Sequence, residues 1–289
     1  MSFKEKLKSK EFIITSELGP PKGISLAKIL EEIAPLKGRV DAVNVTDLQS
    51  SVMRMSALGA SIILKNNGFD PILQMACRDR NRLALQSDAL TAAAFGIENI
   101  LALTGDHPLL GDHPQAKPVY DLDSIQLIEA IRTLETGVDM NGNKLKGEPP
   151  QYCVGAVVNP GADPLEPELI KMEKKIKAGA EFFQTQAVYD LSLFEKFLKI
   201  TEPFKTKIFA SVVLLKSERA AQYLNEHVPG VRIPEKLIGE LQNAKDKQAK
   251  CLEISVRLVR ALKKMCPGLH LISLGWYGLL PEILDATGV

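Results

Sequence analysis

The stretch VDAVNVTDLQSSVMRMSALGASIILKNNGFDPILQMAC, residues 40–77, holds a complete structural unit. Its two ends, VDAVNVT (40–46) and PILQMAC (71–77), are short apolar runs and read as strands. Between them SVMRMSALGASIILKNNG, ending at Gly68, has the spacing of an amphipathic helix with glycine near its stop. Strand, helix, strand at this spacing is a βαβ unit, and strands joined in this way lie parallel.

The pattern continues in both directions. Apolar runs rich in β-branched residues recur as EFIITSEL (11–18), NILALT (99–104), YCVGAVV (152–158), FFQTQAV (182–188), KIFASVVL (207–214) and LHLISL (269–274). Helical patterns fall between them at SLAKILEEIAPL from Ser25, SIQLIEAIRTLE from Ser124 and LIKMEKKIKAGA around Gly179, with further helices near 217–227 and 237–265. The KDKQAK run (245–250) inside the last of these is either a solvated face or a break between two helices. Two connections are about twice the usual length, after the fourth strand and before the eighth; the first carries GDHPLLGDHPQAKPVYDLDS and GVDMNGNKLKGEPP, a surface excursion by its Gly, Asn and Pro content. Eight β/α units predict a single α/β domain over residues 1–289 folded as a (βα)8 TIM barrel.

Composition narrows the function. With 36 basic and 35 acidic residues, a net charge of +1 and no long Lys/Arg block, the chain lacks the electrostatic footprint of a nucleic-acid or anionic-membrane protein. No run of 18 apolar residues occurs and the N-terminal MSFKEKLKSKEF has no signal-peptide core, so the expectation is a cytoplasmic protein without membrane insertion. Cys77, Cys153, Cys251 and Cys266 show no C-x-x-C spacing, and His107 and His113 share a Pro-rich loop rather than an H-E-x-x-H helix, so neither a disulfide framework nor a metal site is expected. Cys77 reads as core packing.

In such barrels the active site lies at the C-terminal mouth, so the polar residues that end each strand are the candidates. They are Glu17, Thr46 with Asp47, Gln74 with Arg78, Thr104-Gly105-Asp106, Asn159 and Gln186, followed by Gly275-Trp276. Glu17 follows a β-branched run and precedes Gly19-Pro20-Pro21, a rigid turn that holds a carboxyl where it can donate a proton to a ligand. Asp106 follows Gly105, whose missing Cβ lets backbone approach a ligand, and its carboxylate can accept from the N–H groups of a heterocycle, although a turn Asp reads the same way. Strict alternation puts Gln184 and Gln186 on one face, where an amide can bond the edge of a pterin-like ring or plug the barrel interior. Lys174 and Lys175, with Arg78, Arg80 and Arg82, can hold a phosphate, but taken alone read as solvated surface. No Walker or Rossmann fingerprint is present. An imine-forming aldolase would need a lysine in the mouth, for which the strand ends offer only Lys216.

The segments ITSELGPPKG (14–23), VNVTD (43–47), LQMACRDRN (73–81), ILALTGDHP (100–108), IKAGAEFFQTQAVYD (176–190) and HLISLGW (270–276), in this order over nearly the whole chain, resemble the methylenetetrahydrofolate reductase family. The resemblance implies a flavoprotein barrel that interconverts 5,10-methylenetetrahydrofolate and 5-methyltetrahydrofolate by hydride transfer through flavin N5. The flavin it implies is FAD, with FMN as the alternative because the adenosine side would rest on the loop 107–121. Glu17 matches the family's acid that protonates the folate, Asp106 the carboxylate near flavin and pterin, and Gln186 the amide on the pterin. Thr46, Gln74, Thr104, Gly105, Tyr120, Asp121 and Lys175 match positions that contact FAD. Gln74 and Asn159 stand where His and Tyr are common, Ala220 where a folate-binding Gln is frequent, and Trp276 where an Arg meets the folate tail. These departures are similar to the short branch of acetogenic and other anaerobic bacteria, in which the electron donor is NAD(P)H or a second subunit; homo-oligomers are common in the family.

Overall fold

The computed structural model describes residues 2–9 and 11–289. After helix α1 (Phe3–Lys8) the chain runs β1 (Ile13–Leu18), α2 (Ala27–Ile33), β2 (Ala42–Val45), α3 (Ala57–Asn66), β3 (Pro71–Ala76), α4 (Arg82–Ala94), β4 (Asn99–Leu103) and α5 (Ser124–Leu134). It continues through β5 (Cys153–Val158), α6 (Glu166–Ala178), β6 (Phe182–Ala187), α7 (Leu191–Thr201), β7 (Lys207–Val213), α8 (Glu218–His227), α9 (Glu235–Asn243), α10 (Lys247–Leu262), β8 (Gly268–Ile272) and α11 (Leu279–Thr287). The eight strands form a closed barrel in sequence order, all pairs parallel, as the sequence predicts. Each strand lies within two residues of the run that announced it.

Two helices differ from their sequence reading for local reasons. The pattern from Ser51 becomes helical only at Ala57, where the Ser56 hydroxyl accepts from Gly59 N–H at 3.1 Å and starts α3; residues 47–56 remain a loop over the mouth. The long segment 237–265 is two helices, and KDKQAK is the break: the Asp246 carboxylate accepts from the N–H groups of Gln248 and Ala249 and opens α10.

The barrel interior is layered. Its floor is apolar, with Ile13, Ala42, Ile72, Leu101, Cys153, Phe182 and Phe209 contributed by seven successive strands. Helix α1 closes this end: Phe3 inserts edge-on to Phe182 and Phe209, at centroid distances of 5.2 and 6.4 Å, and Leu7 is buried beside it. Gly155 makes room, since a Cβ there would come within 2.2 Å of the Phe182 ring. Above the floor lies a polar layer. Asn44 of β2 and Gln184 of β6 are not neighbours in the sheet yet share two hydrogen bonds, at 2.6 and 3.1 Å, so they meet across the interior. No helix among the described residues is long and apolar enough to cross a membrane.

Phe3→Ala should cost about 3–5 kcal/mol of stability, as for other buried aromatic truncations. Denaturant unfolding measures this, and a loss below about 1 kcal/mol, the ordinary scale of a point change, would show that the floor closes without α1.

Candidate active site

Arg78 organises the mouth. It follows β3, is 2% exposed, and its guanidinium donates to Leu48 O (3.2 Å), Ser51 Oγ (3.0 Å) and Asp106 O (3.2 Å) while pairing with Asp79 at 2.7 Å. One planar fork therefore ties the loops after β2 and β4 to β3. The β2 loop is held in an unusual backbone, with Leu48, Ser50 and Ser51 at φ 47°, 55° and 57°, a left-handed region rarely used by side-chain-bearing residues. Ser51 Oγ donates in turn toward Asp106 O and His107 O, and Gly111 packs so closely that a Cβ would lie 1.8 Å from Ser51 O. Asp112 completes the clasp by accepting from Met53 N–H at 3.0 Å and pairing with Lys22; the Lys22 ammonium, then His113, hold its carboxyl well below the usual range.

Beneath these loops is a cavity of about 450 Å3 lined by Asp47, Gln74, Arg78, Thr104, Gly105, Asp106, Lys171 and Lys175 among others, in the usual range for a cofactor-sized ligand. Gly105 has φ +91°, and a Cβ there would sit 3.1 Å from Arg78 Cβ and 3.2 Å from Ala76 Cβ. Asp47 accepts from Ala76 N–H at 2.8 Å and pairs with Arg80; burial pushes its carboxyl up, and Arg80 opposes that push. Lys175, on α6, is 6% exposed and donates to Val157 O at 2.7 Å. Burial lowers the Lys175 ammonium from its ordinary value, so an anion or carbonyl arriving in the cavity meets a poorly hydrated donor.

Glu17 stands beside this cavity rather than within its lining. Its side chain is 11% exposed, with Oε2 3.5 Å from His270 Nε2 and Oε1 accepting from Gln49 Nε2 at 3.4 Å. It borders a second cavity of about 450 Å3 with Lys28, Glu32, Arg54 and Tyr277, and Gln49 lines both cavities.

The other sequence candidates take varied places. Thr46 is buried and its Oγ1 has no hydrogen-bond partner among the described residues. Tyr120 braces Gly105, donating from its hydroxyl to Gly105 O at 3.1 Å. Asp121 is engaged by Arg82, accepting from its side chain and backbone at 2.9 Å, which holds its carboxyl down at about 2. Asn159 faces a different cleft, donating to Pro229 O at 3.0 Å and accepting from Gly161 N–H at 3.1 Å. Gln186 is exposed at the end of β6, its Oε1 accepting from Ala187 N–H at 3.3 Å.

Gln184 and Gln186 differ in environment: Gln184 is buried as the interior plug, Gln186 is exposed at the end of β6, and the register against β7 shifts between Gln184 and Ala187. Arg78 and Arg80 are not solvated surface but buried and half-buried partners of Asp79, Asp47 and Asp88, and Lys175 is buried while Lys174 is exposed. Lys216 donates to Leu274 O at 2.5 Å under the Trp276 ring, tethering the loop after β8. Cys77 is buried, its thiol pushed up to about 12 by burial, consistent with packing. His270 lies within β8 rather than at its end, and its sequence signal is a lone polar residue in an apolar strand.

The cavity fits a flavin on the structure's own terms. It combines a desolvated cation with spare donors, the Asp106 carboxylate and the Gln74 amide in one lining, and next to Asp47 of that lining in the chain stands the buried Thr46 hydroxyl, unpartnered among the described residues.

The family model described as "Methylenetetrahydrofolate reductase" matches residues 2–288. A probable methylenetetrahydrofolate reductase (NADPH) of Caenorhabditis elegans is 27% identical over 86% of this chain and 36% of its own length. Methylenetetrahydrofolate reductase 2 of Schizosaccharomyces pombe is 24% identical over 83% of this chain and 39% of its own. The chain thus spans less than half the length of these relatives. A solved Clostridium thermocellum protein, described as binding two copies of 5-methyl-5,6,7,8-tetrahydrofolic acid, superposes with a TM-score of 0.63 at 19% identity over 99% of this chain and 98% of that one, which shows a common fold.

Lys175→Met should leave the unfolding midpoint unchanged or raise it, because a desolvated charge gives way to an apolar stem of similar length. The same change should weaken flavin binding by about tenfold or more, the scale of one charge-assisted hydrogen bond. Thermal melts and fluorescence titration with FAD and FMN check both, and undiminished affinity would remove Lys175 from the site.

Proposed function

The chain belongs to the methylenetetrahydrofolate reductase family, and from that premise we propose that it reduces 5,10-methylenetetrahydrofolate to 5-methyltetrahydrofolate with a flavin, within one (βα)8 catalytic unit. The observation that carries this reading is the juxtaposition at Gln49: the cavity of Gly105, Asp106 and Lys175 adjoins the cavity bordered by Glu17, so a planar cofactor and a planar substrate have adjacent places. A bound flavin would supply hydride chemistry that no side chain of the protein has.

The chain's own residues then bind, orient and manage protons. Lys175 and Lys171 draw the negative part of the cofactor, which we take as FAD with FMN the other occupant, and Thr46, Gln74, Thr104 and Gly105 bond its polar edges. Asp106 accepts from ring N–H groups where the two ligands meet. Gln186, whose amide nitrogen is free of partners in the described structure, meets the pterin edge. Glu17, flanked by His270 and Gln49, donates the proton that opens the methylene bridge. Tyr120, Asp121 and Asn159 contribute by holding the surrounding loops.

A second reading concerns the electron donor. Ile24, Met53, Leu109 and Leu110 are all more than half exposed and lie on the three loops that Asp112 and Ser51 clasp together over the mouth. Large apolar side chains exposed in one region favour a protein surface as the neighbour of the flavin, so that a partner subunit rather than NAD(P)H delivers electrons.

Glu17→Gln should abolish folate reduction while leaving reduction of the flavin by its donor largely intact; loss of both would sink the assigned role. Flavin absorbance bleached anaerobically by NADH or NADPH would establish a self-sufficient reductase, unbleached bands would favour the partner, and a preparation that neither carries nor takes up FAD or FMN would overturn the proposal.

A further inference from the structure

The polar layer inside the barrel ends on Glu17. Thr15 of β1 and His270 of β8 are register partners where the barrel closes, and Thr15 Oγ1 lies 2.9 Å from His270 Nδ1. The same hydroxyl accepts from Gln184 Nε2 at 3.2 Å, and Gln184 is locked in turn by its double hydrogen bond to Asn44. All four side chains are 3% exposed or less. The second ring nitrogen of His270, Nε2, faces Glu17 Oε2 at 3.5 Å.

A polar chain of this kind is costly to bury unless every member is bonded. The same barrel fills its floor with Phe182 and Phe209, so the interior accepts apolar side chains at similar depth. Polarity here has a direction. An imidazole has two ring nitrogens, and with Nδ1 committed to Thr15 the ring plane and the aim of Nε2 are fixed. Glu17 Oε2 thus faces the aimed ring nitrogen at 3.5 Å, while Oε1 accepts from Gln49 at 3.4 Å. The charged and titratable groups sharing its cavity are Lys28 and Glu32 of α2, Arg54 of the β2 loop and Tyr277 after β8. From within the barrel the chain behind His270 consists of uncharged groups.

We propose that His270 is a positioning residue for Glu17, holding Oε2 through Nε2, with its own orientation set through Thr15 by the buried Gln184–Asn44 pair. The proposal deepens the reading of Glu17 as the acid and rests on it for its catalytic consequence, but the Glu17–His270 coupling itself is measurable without cofactor or substrate. In the purified protein labelled with 15N-histidine, Glu17→Gln should shift the ring-nitrogen resonances of His270, and Thr15→Val should shift them as well. Resonances indifferent to Glu17→Gln would overturn the proposal. In folate reduction, His270→Leu should lower kcat by about 100-fold, the scale of a misplaced catalytic group, with KM little changed, and His270→Gln should recover part of the loss. Wild-type kcat in His270→Leu would equally overturn it. Should that variant fail to fold, the ring shift in Glu17→Gln decides alone. A clear ring shift in a protein that reduces no folate would sustain the coupling and refute the assigned reaction instead.

Discussion

The seam between β8 and β1 is the contact on which the rest of the structure depends. Parallel pairing from Ile13 opposite Gly268 to Ser16 opposite Leu271 turns an open sheet into a barrel and sets Thr15 beside His270. Because side chains alternate along a strand, a slip of one residue would exchange interior and exterior along β8. Thr15 would lose its imidazole, His270 would face the helices, and Glu17 would lose the group beneath it. Closure also buries the interior, so polar side chains that enter it must be bonded, as Asn44 and Gln184 are to each other across the barrel.

The two ends of the barrel divide the work. At the floor, α1 and three phenylalanine rings close the interior with apolar packing that asks only for volume and shape. At the mouth, Arg78 gathers three loops through fixed donor directions and holds the β2 loop in a left-handed backbone. The left-handed segment, with Leu48 and Ser50 among the cavity lining, thus lies where a ligand would be held. The arrangement also explains why charges close to the cavity differ in availability: Arg78, Arg80 and Arg82 are each committed to a carboxylate, whereas Lys175 keeps donors unspent.

Much of this was legible in the residues. Eight recurring apolar runs predict the barrel, the strand-end reading supplies Asp47, Gln74, Arg78, Thr104, Gly105 and Asp106 of the cavity lining, and Lys175 comes from the helix before Gly179. The errors have local causes. Strict alternation carries no information on depth, so it pairs Gln184, buried in the interior, with Gln186, exposed at the strand end beyond the register shift. The basic run Arg78, Arg80, Arg82 reads as solvated charge because Asp47 and Asp121, which pair with Arg80 and Arg82, lie on other loops, and because the backbone carbonyls of Leu48 and Asp106 that bury Arg78 leave no sequence signal. Helix α1 escaped notice because its apolar face is as short as Phe3 and Leu7, and only the barrel floor gives those two residues something to cover.

By itself the sequence determined the periodicity, and with it the alternation of strand and helix, the closed parallel architecture and the set of polar residues at the strand ends, because these follow from short-range spacing of apolar side chains. Which of those residues share a cavity, which charges are already paired, and that a histidine inside β8 touches the carboxyl at the end of β1 were decided by the tertiary structure. The physical reason is range. Backbone propensity and burial pattern are written within a few turns of chain, whereas ion pairs, interior hydrogen bonds and the β8–β1 seam join residues as far apart as Thr15 and His270, whose meeting exists only once the barrel has closed.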